Sequence, residues 1–305
     1  MTEILYYDRK TGKKDKEKVY GRFFLELLYG KRKCARFFSS FLLPLFSHIS
    51  LLSRLYGLSQ KSRASKSKVK PFIDSFQVDA TEFLEPVESF RSFNDFFIRR
   101  LKPDCRPIVT GQEIAIMPAD ARYLVFSSID HEKGIWVKGK NFSLKTLLRS
   151  EALAERYTAG SMVIARLCPV DYHRFHFPCD CLPSKAKLIN GPLYSVNPIA
   201  LKRNIDILGK NKRMITELHT ERFGMVVYIE VGATYVGSIH QTYTPNTFQN
   251  KGTEKGYFSF GGSCLILLFE PDRIIFDEDL IAFSEKKIEV RALLGQSLGT
   301  AVYRS

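Results

Sequence analysis

The sequence predicts an α+β protein, with amphipathic helices at the front and a β-rich core of sandwich or barrel type behind them. Three observations carry that expectation. From Val19 to Gln60 the chain is strongly apolar and aromatic, with cations set between Phe/Leu clusters as in helices that have one apolar face. Beyond Gly160 it breaks into short apolar runs separated by Gly, Pro and Asn. Of these, MVVYIEVGATYVGSI (225–239) and SCLILLFE (263–270) are rich in the β-branched and aromatic residues of strands. Finally, 45% of the 305 residues are hydrophobic and 26% charged, which excludes a disordered chain and suffices for a substantial core.

The opening MTEILYYDRKTGKKDKEKVY mixes acids and bases and has no apolar h-region, so no secretion signal is read there. In the stretch that follows, Arg22, Lys31, Arg32, Lys33, Arg36 and Arg54 punctuate clusters such as FFSSFLLPLF. That pattern suits helices lying in a membrane interface, with their cations snorkelling toward anionic headgroups. Its uncharged part, 37–53, contains five serines, His48 and Pro44 and is shorter than the about 20 apolar residues that a span needs. A buried helical hairpin is the plainer alternative.

Residues 59–70, SQKSRASKSKVK, read as a polar linker ending before Pro71. The expected division is therefore a basic, membrane-associating helical segment with its linker, 1–70, and a catalytic domain, 71–305. Charge agrees with it. The net charge is +14, and residues 1–70 hold 17 Lys/Arg against 5 Asp/Glu, so nearly all of the excess sits there. Next, Ser92 and Asp95 form an S-x-x-D start, and Phe93, Phe96, Phe97 and Leu101 share a helical face until Pro103. A second helix is expected from Ser143 to about Tyr157. Six cysteines, at 34, 105, 168, 179, 181 and 264, do not describe a disulfide framework and suggest a reducing compartment.

Three clusters carry chemistry. Asp171-Tyr172-His173-Arg174-Phe175-His176, followed by Phe177-Pro178-Cys179-Asp180-Cys181, is the densest. His173, His176, Cys179 and Cys181 are four nitrogen or sulfur ligands of the kind zinc takes, although C-x-C is an uncommon zinc pairing and Pro178 restricts the turn. The same residues also read as hydrogen-bonded polar groups of a β core, or as acid/base groups, since imidazole titrates near neutrality. Asp120, after the apolar IAIM run and Pro118, is on its own a turn aspartate. Gly261 and Gly262 precede Ser263 at the start of an apolar strand, a pattern that alone signals a bulge or tight turn.

These clusters occur in one order and spacing, within longer blocks: FNDFFIRRLKPDCRPI (93–108), PADA (118–121), WVKGKNFSLKTLL (136–148), ARLCPVDYHRFHFP (165–178), GPLYSVNP (191–198), NKRMITEL (211–218), YIEVGATYVGSI (228–239) and KGTEKGYFSFGGS (251–263). From about Phe90 to Phe269 the chain resembles the phosphatidylserine decarboxylase family, bacterial-type, membrane-associated enzymes that depend on a pyruvoyl group. It departs from the family's usual residues at Ala121, Lys212, Gly261 and Cys264.

The resemblance implies a proenzyme that cuts itself between Gly262 and Ser263 into a β chain, 1–262, and an α chain, 263–305. Ser263 would attack the carbonyl of Gly262, with His176 as base and Asp120 orienting it. Elimination of the resulting ester would leave dehydroalanine, hydrolysed to a pyruvoyl group with release of ammonia. The pyruvoyl, derived from Ser263, would capture the substrate amine as a Schiff base and act as electron sink. No metal or pyridoxal phosphate is then needed. His173 would hold the substrate carboxylate or supply the proton that replaces it.

The implied activity is conversion of phosphatidylserine to phosphatidylethanolamine and carbon dioxide. The implied partners are that lipid and an anionic membrane surface, with the enzyme peripheral on the cytoplasmic face of the cell membrane. The sequence leaves a homodimer open. Nucleic acid is set aside, because the cations alternate with Leu/Phe runs and no nucleic-acid module is present. The competing reading is a non-catalytic, anionic-lipid-binding protein that retains the fold, which loss of Ser263, His176 or Asp120 would favour. All three are present.

Overall fold

The computed structural model describes residues 3–18, 57–129, 143–201, 205–233, 238–261 and 263–302. Sixteen strands form among them: β1 (Leu5–Asp8), β2 (Lys13–Lys16), β3 (Ile114–Ile116), β4 (Ala121–Phe126), β5 (Ser161–Leu167), β6 (Arg174–His176), β7 (Leu182–Pro183), β8 (Lys187–Ile189), β9 (Arg213–His219), β10 (Met225–Gly232), β11 (Ile239–Gln241), β12 (Glu254–Phe258), β13 (Ser263–Phe269), β14 (Ile274–Phe276), β15 (Glu289–Ala292) and β16 (Ser297–Ala301). Ten make one large sheet, ordered β2-β1-β15-β4-β5-β13-β10-β9-β7 with β8 also on β9. β11-β12-β6 and β14-β16-β3 form two three-stranded sheets.

The central strands β5, β13 and β10 are apolar runs rather than alternating ones because both faces of the sheet are covered. On one face Val163, Ala165, Leu265, Leu267, Val226 and Tyr228 meet Ala115, Phe175, Phe258 and Leu298 of the small sheets. On the other, Met162, Ile164, Ile266, Leu268, Val227 and Ile229 meet Leu147, Leu148 and Leu208 of short helices at Leu144–Leu148 and Ile207–Lys210. The α+β expectation therefore holds, as three layers: small sheets, large sheet, helices.

The front of the chain differs from expectation. Residues 5–16 are not helical but a hairpin, turned at Gly12 (φ +67°), whose β1 pairs in parallel with β15. The expected linker folds as a 3-10 helix, Arg63–Lys68, and an α-helix, Val69–Phe76. Pro71 fits there because the first helical turn needs no N–H donor. Val69 and Phe72 are buried in an aromatic cluster with Phe83, Phe90, Phe93, Phe96, Phe97 and Phe260, so this segment does pack a core. The helix expected from Ser143 is two, Leu144–Leu148 and Glu151–Arg156. Arg149 takes a left-handed conformation (φ 51°), and Ser150 caps the second by accepting from Leu153 N. Helix Glu278–Glu285 was not expected. Of the interfacial helices expected over residues 19–60, all but the last four residues fall in 19–56, outside the described residues. No helix among the described residues is long and apolar enough to cross a membrane.

Candidate active site

Ser263 opens β13, paired with Leu167 of β5 and Gly232 of β10, and is fully buried. Strand alternation puts its side chain on the face of Leu265 and Leu267, toward the small sheets. Cys264 points the other way, into the helical layer, so this departure from the family residue does not touch the serine.

The Ser263 hydroxyl lies 3.1 Å from His173 Nδ1, and His173 Nε2 lies 2.9 Å from the carbonyl oxygen of Cys168. A carbonyl only accepts, so Nε2 carries the ring proton. Nδ1 is then the lone-pair nitrogen and the serine donates to it. Burial, reinforced by the Arg99 cation, pushes the His173 pKa down to about 3, so the ring is neutral at ordinary pH. Phe97 stacks on it at 3.7 Å between centroids.

The loop before His173 is tightly held. Asp171 accepts from Cys168 N at 2.6 Å and pairs with buried Arg122 at 2.5 Å, and its own N–H donates to Cys168 O. Arg99, between the rings of Phe83 and Phe96, donates to the carbonyls of Val170 and Asp171. On the other side, Phe258 N donates to His173 O at 3.0 Å and Phe260 N to Asn94 Oδ1 at 2.9 Å, and the Phe260 ring rests on Phe93 and Phe97. Gly261 has φ +138°, a conformation that a side chain would strain. Gly262 lies outside the described residues.

His176 ends β6 and pairs with Glu254 of β12. Its backbone N–H donates to Pro118 O at 2.8 Å, which brings it beside the Pro118-Ala119-Asp120 turn. Burial lowers its pKa to about 4 against the raising influence of Glu254 and Asp120, and its Nδ1 is buried without a hydrogen-bond partner. Asp120 is engaged elsewhere. Its carboxylate takes Arg106 Nε at 2.9 Å and Nη2 at 2.6 Å, and accepts from Leu294 N at 2.9 Å. Among the described residues Asp120 makes no hydrogen bond to either histidine. The expected order Asp120–His176–Ser263 is thus not joined by hydrogen bonds; the histidine on the serine is His173.

The four residues weighed for zinc do not converge. Cys179 and Cys181 lie in the apolar cluster between the sheets, burial pushing the Cys181 thiol up to about 12. Sequence reasoning missed Asn94, Arg99, Arg106 and Arg122. The only signal for them is charge or amide inside apolar stretches, since their partners are remote in sequence or are backbone carbonyls.

A buried serine donating to a neutral histidine of fixed tautomer is an arrangement compatible with enzymes that use an activated hydroxyl. Comparison with known proteins narrows the class. Residues 93–300 match the family model described as phosphatidylserine decarboxylase, and the chain belongs to that family. It is 49% identical over 301 residues to the phosphatidylserine decarboxylase proenzyme of Chlamydia muridarum, covering 97% of both chains. It is 48% identical over 299 residues to that of Chlamydia pneumoniae, covering 98% of both, and 44% identical to that of Chlamydia trachomatis serovar L2, covering 97% of both.

Proposed function

We propose that this chain is a proenzyme that cleaves itself at Gly262–Ser263 and then decarboxylates phosphatidylserine to phosphatidylethanolamine. The observation that carries the self-cleavage is the 3.1 Å contact from the Ser263 hydroxyl to the unprotonated Nδ1 of His173. As Ser263 Oγ bonds to the Gly262 carbonyl carbon, its proton passes to Nδ1, the peptide C–N bond breaks and the Ser263 nitrogen is released as an amine. Loss of the Ser263 α-proton then expels the Gly262 carboxylate and leaves a dehydroalanine. Water converts that to the ketone of a pyruvoyl group and frees ammonia.

The surroundings suit that group: Ser263 is wholly buried, at a strand start, beside a nitrogen that accepts protons. The pyruvoyl supplies the electron sink for decarboxylation. His173 Nδ1, still at the same place, takes or returns the proton that replaces carbon dioxide. Arg99 and Asp171 keep its loop from shifting.

A second reading keeps His176 as the base, oriented by Asp120, and gives His173 to the substrate alone. It is favoured by the buried, partnerless Nδ1 of His176. Intact-mass analysis separates the two. Wild type yields chains 1–262 and 263–305, the smaller blocked by a ketone, and Ser263→Ala yields neither. His173→Ala stays uncut and His176→Ala is processed in the first reading, and the reverse holds in the second. A wild-type chain that stays whole defeats both.

The basic, Phe/Leu-rich residues 19–56 hold the enzyme on the anionic, cytoplasmic face of the membrane, each Lys or Arg near that surface contributing about 1 kcal/mol.

A further inference from the structure

A pocket of about 480 Å³ opens beside the loop of His173, with four arginines, Arg91, Arg99, Arg100 and Arg174, and two acids, Glu85 and Asp95, among the residues that line it. Two of its lining residues tie it to the loop of His173: Arg174 follows His173 in the chain, and Arg99 holds the carbonyls of Val170 and Asp171 just before it. Arg99 is buried, and its Nε has no hydrogen-bond partner. Arg174 commits Nε to Ile98 O at 3.0 Å and Nη1 to the Glu254 carboxylate at 3.0 and 2.9 Å, and its Nη2 bonds no described residue. Arg91 and Arg100 are exposed, and neither side chain makes a hydrogen bond or ion pair with a described residue. Cations gathered in a concave site with donors unspent are completed by an anion.

We propose that this pocket binds the phosphodiester of the substrate headgroup; the proposal rests on the phosphatidylserine reading above. Guanidinium forks match phosphate oxygens two bonds at a time, and the pocket offers several. Position agrees with charge. In phosphatidylserine the phosphorus is three bonds from the serine α-carbon, so a headgroup reacting at Ser263 keeps its phosphate close by. The Arg-lined pocket adjoins the loop that carries His173. The substrate carboxylate leaves as carbon dioxide, whereas the phosphate persists unchanged into the product. Contacts to it are therefore equal in ground and transition states, so their loss raises KM and leaves kcat nearly alone.

The test uses the full chain and monomeric short-chain phosphatidylserine, so that membrane binding does not enter. Arg91→Ala and Arg100→Ala are expected to yield both chains, to raise KM about tenfold and to change kcat less than about twofold. Arg→Lys at the same positions recovers part of the KM. Inorganic phosphate competes with the lipid in wild type and loses potency in the Ala variants. Unchanged KM and unchanged phosphate inhibition overturn the proposal. So does an unchanged monomer KM coupled with weaker binding to phosphatidylglycerol vesicles, which gives these cations to the membrane surface. Should an Ala variant fail to process itself, the Lys variants carry the KM comparison. A wild type that is processed but releases no carbon dioxide defeats the decarboxylase reading instead, a result distinct from all of these.

Discussion

His173 and His176 sit three residues apart, yet each is stripped of water in different company. His173 is enclosed by Phe97, the Cys168 carbonyl, Ser263 and the Arg99 cation, and His176 by Tyr172 and the charges of Glu254 and Asp120. Burial holds both rings neutral far below their usual pKa, which gives self-cleavage an unusual pH signature. With the base neutral down to about pH 3, the cleavage rate should run flat from about pH 8 to pH 5, with no inflection near the ordinary histidine value of about 6.5. Stability behaves differently. The unfolded chain protonates these rings near 6.5 and the folded chain only near 3 and 4, so unfolding takes up protons in between. Their contribution to stability is complete above about pH 6.5 and is lost as pH falls through the folded values. Thermal midpoints of Ser263→Ala should therefore fall with acid below about pH 6.5, while a quench-flow cleavage profile of wild type does not; a cleavage rate that halves near 6.5 would show the ring to be solvated. At this scale Ser263 was legible only through the family resemblance, because Gly-Gly-Ser before an apolar run by itself signals no more than a bulge or tight turn. The sequence did not disclose which histidine touches that serine. That is set by a backbone carbonyl, Cys168 O, and by Arg106, which takes up the Asp120 carboxylate.

Strand β13 joins chemistry to stability, since Ser263 opens it and Leu265, Ile266, Leu267 and Leu268 lie wholly inside the molecule. Its neighbours β5 and β10 are equally enclosed, so a truncated side chain leaves a cavity that cannot collapse toward solvent. Leu267→Ala, in the uncut Ser263→Ala background, should cost about 2 to 5 kcal/mol, measured by urea unfolding of the single chain. A cost under about 1 kcal/mol would mean that the layers close over the gap. Strands β10 and β13 were legible in the sequence because enclosure on both faces merges the alternating pattern into one long apolar signal. The hairpin β1–β2 was not. Its strands are four residues each, β2 is wholly charged and lies at the sheet edge, and what fixes β1 is pairing with β15, almost the whole chain away. The break at Arg149 escaped notice for a similar reason, as Ser150 caps a new helix where apolar periodicity alone continues.

Over the whole molecule, cleavage at residue 262 would not free the α chain. β13 lies between β5 and β10, β15 between β1 and β4, and β16 between β14 and β3, so residues 263–305 are woven into all but one of the three sheets. The same interleaving redefines the N-terminal segment. Residues 5–16 belong to the large sheet through β15, and the side chain of Glu17 is enclosed in ion pairs with Arg166 at 2.6 Å and Arg122 at 3.3 Å. Arg122 in turn holds Asp171, whose loop carries His173. Removing residues 1–70 would therefore damage the fold, so the membrane proposal is tested by excising residues 19–56 alone. Joining Lys18 to Gly57 by a Gly/Ser bridge should leave self-cleavage within about twofold of wild type and abolish flotation with phosphatidylglycerol vesicles, because the Phe/Leu clusters that would insert lie in the excised part, together with six of the 17 Lys/Arg of residues 1–70. Deleting 1–18 should instead slow cleavage and lower the unfolding midpoint, since it exposes the β15 edge and strands Arg166 and Arg122 without Glu17. For the intact protein, high salt should weaken vesicle binding without ending it, as inserted Phe and Leu side chains are not screened. If the chain lacking 19–56 still floats with vesicles, the lipid contact belongs to the folded core, and the charge excess of the N-terminal segment has another use.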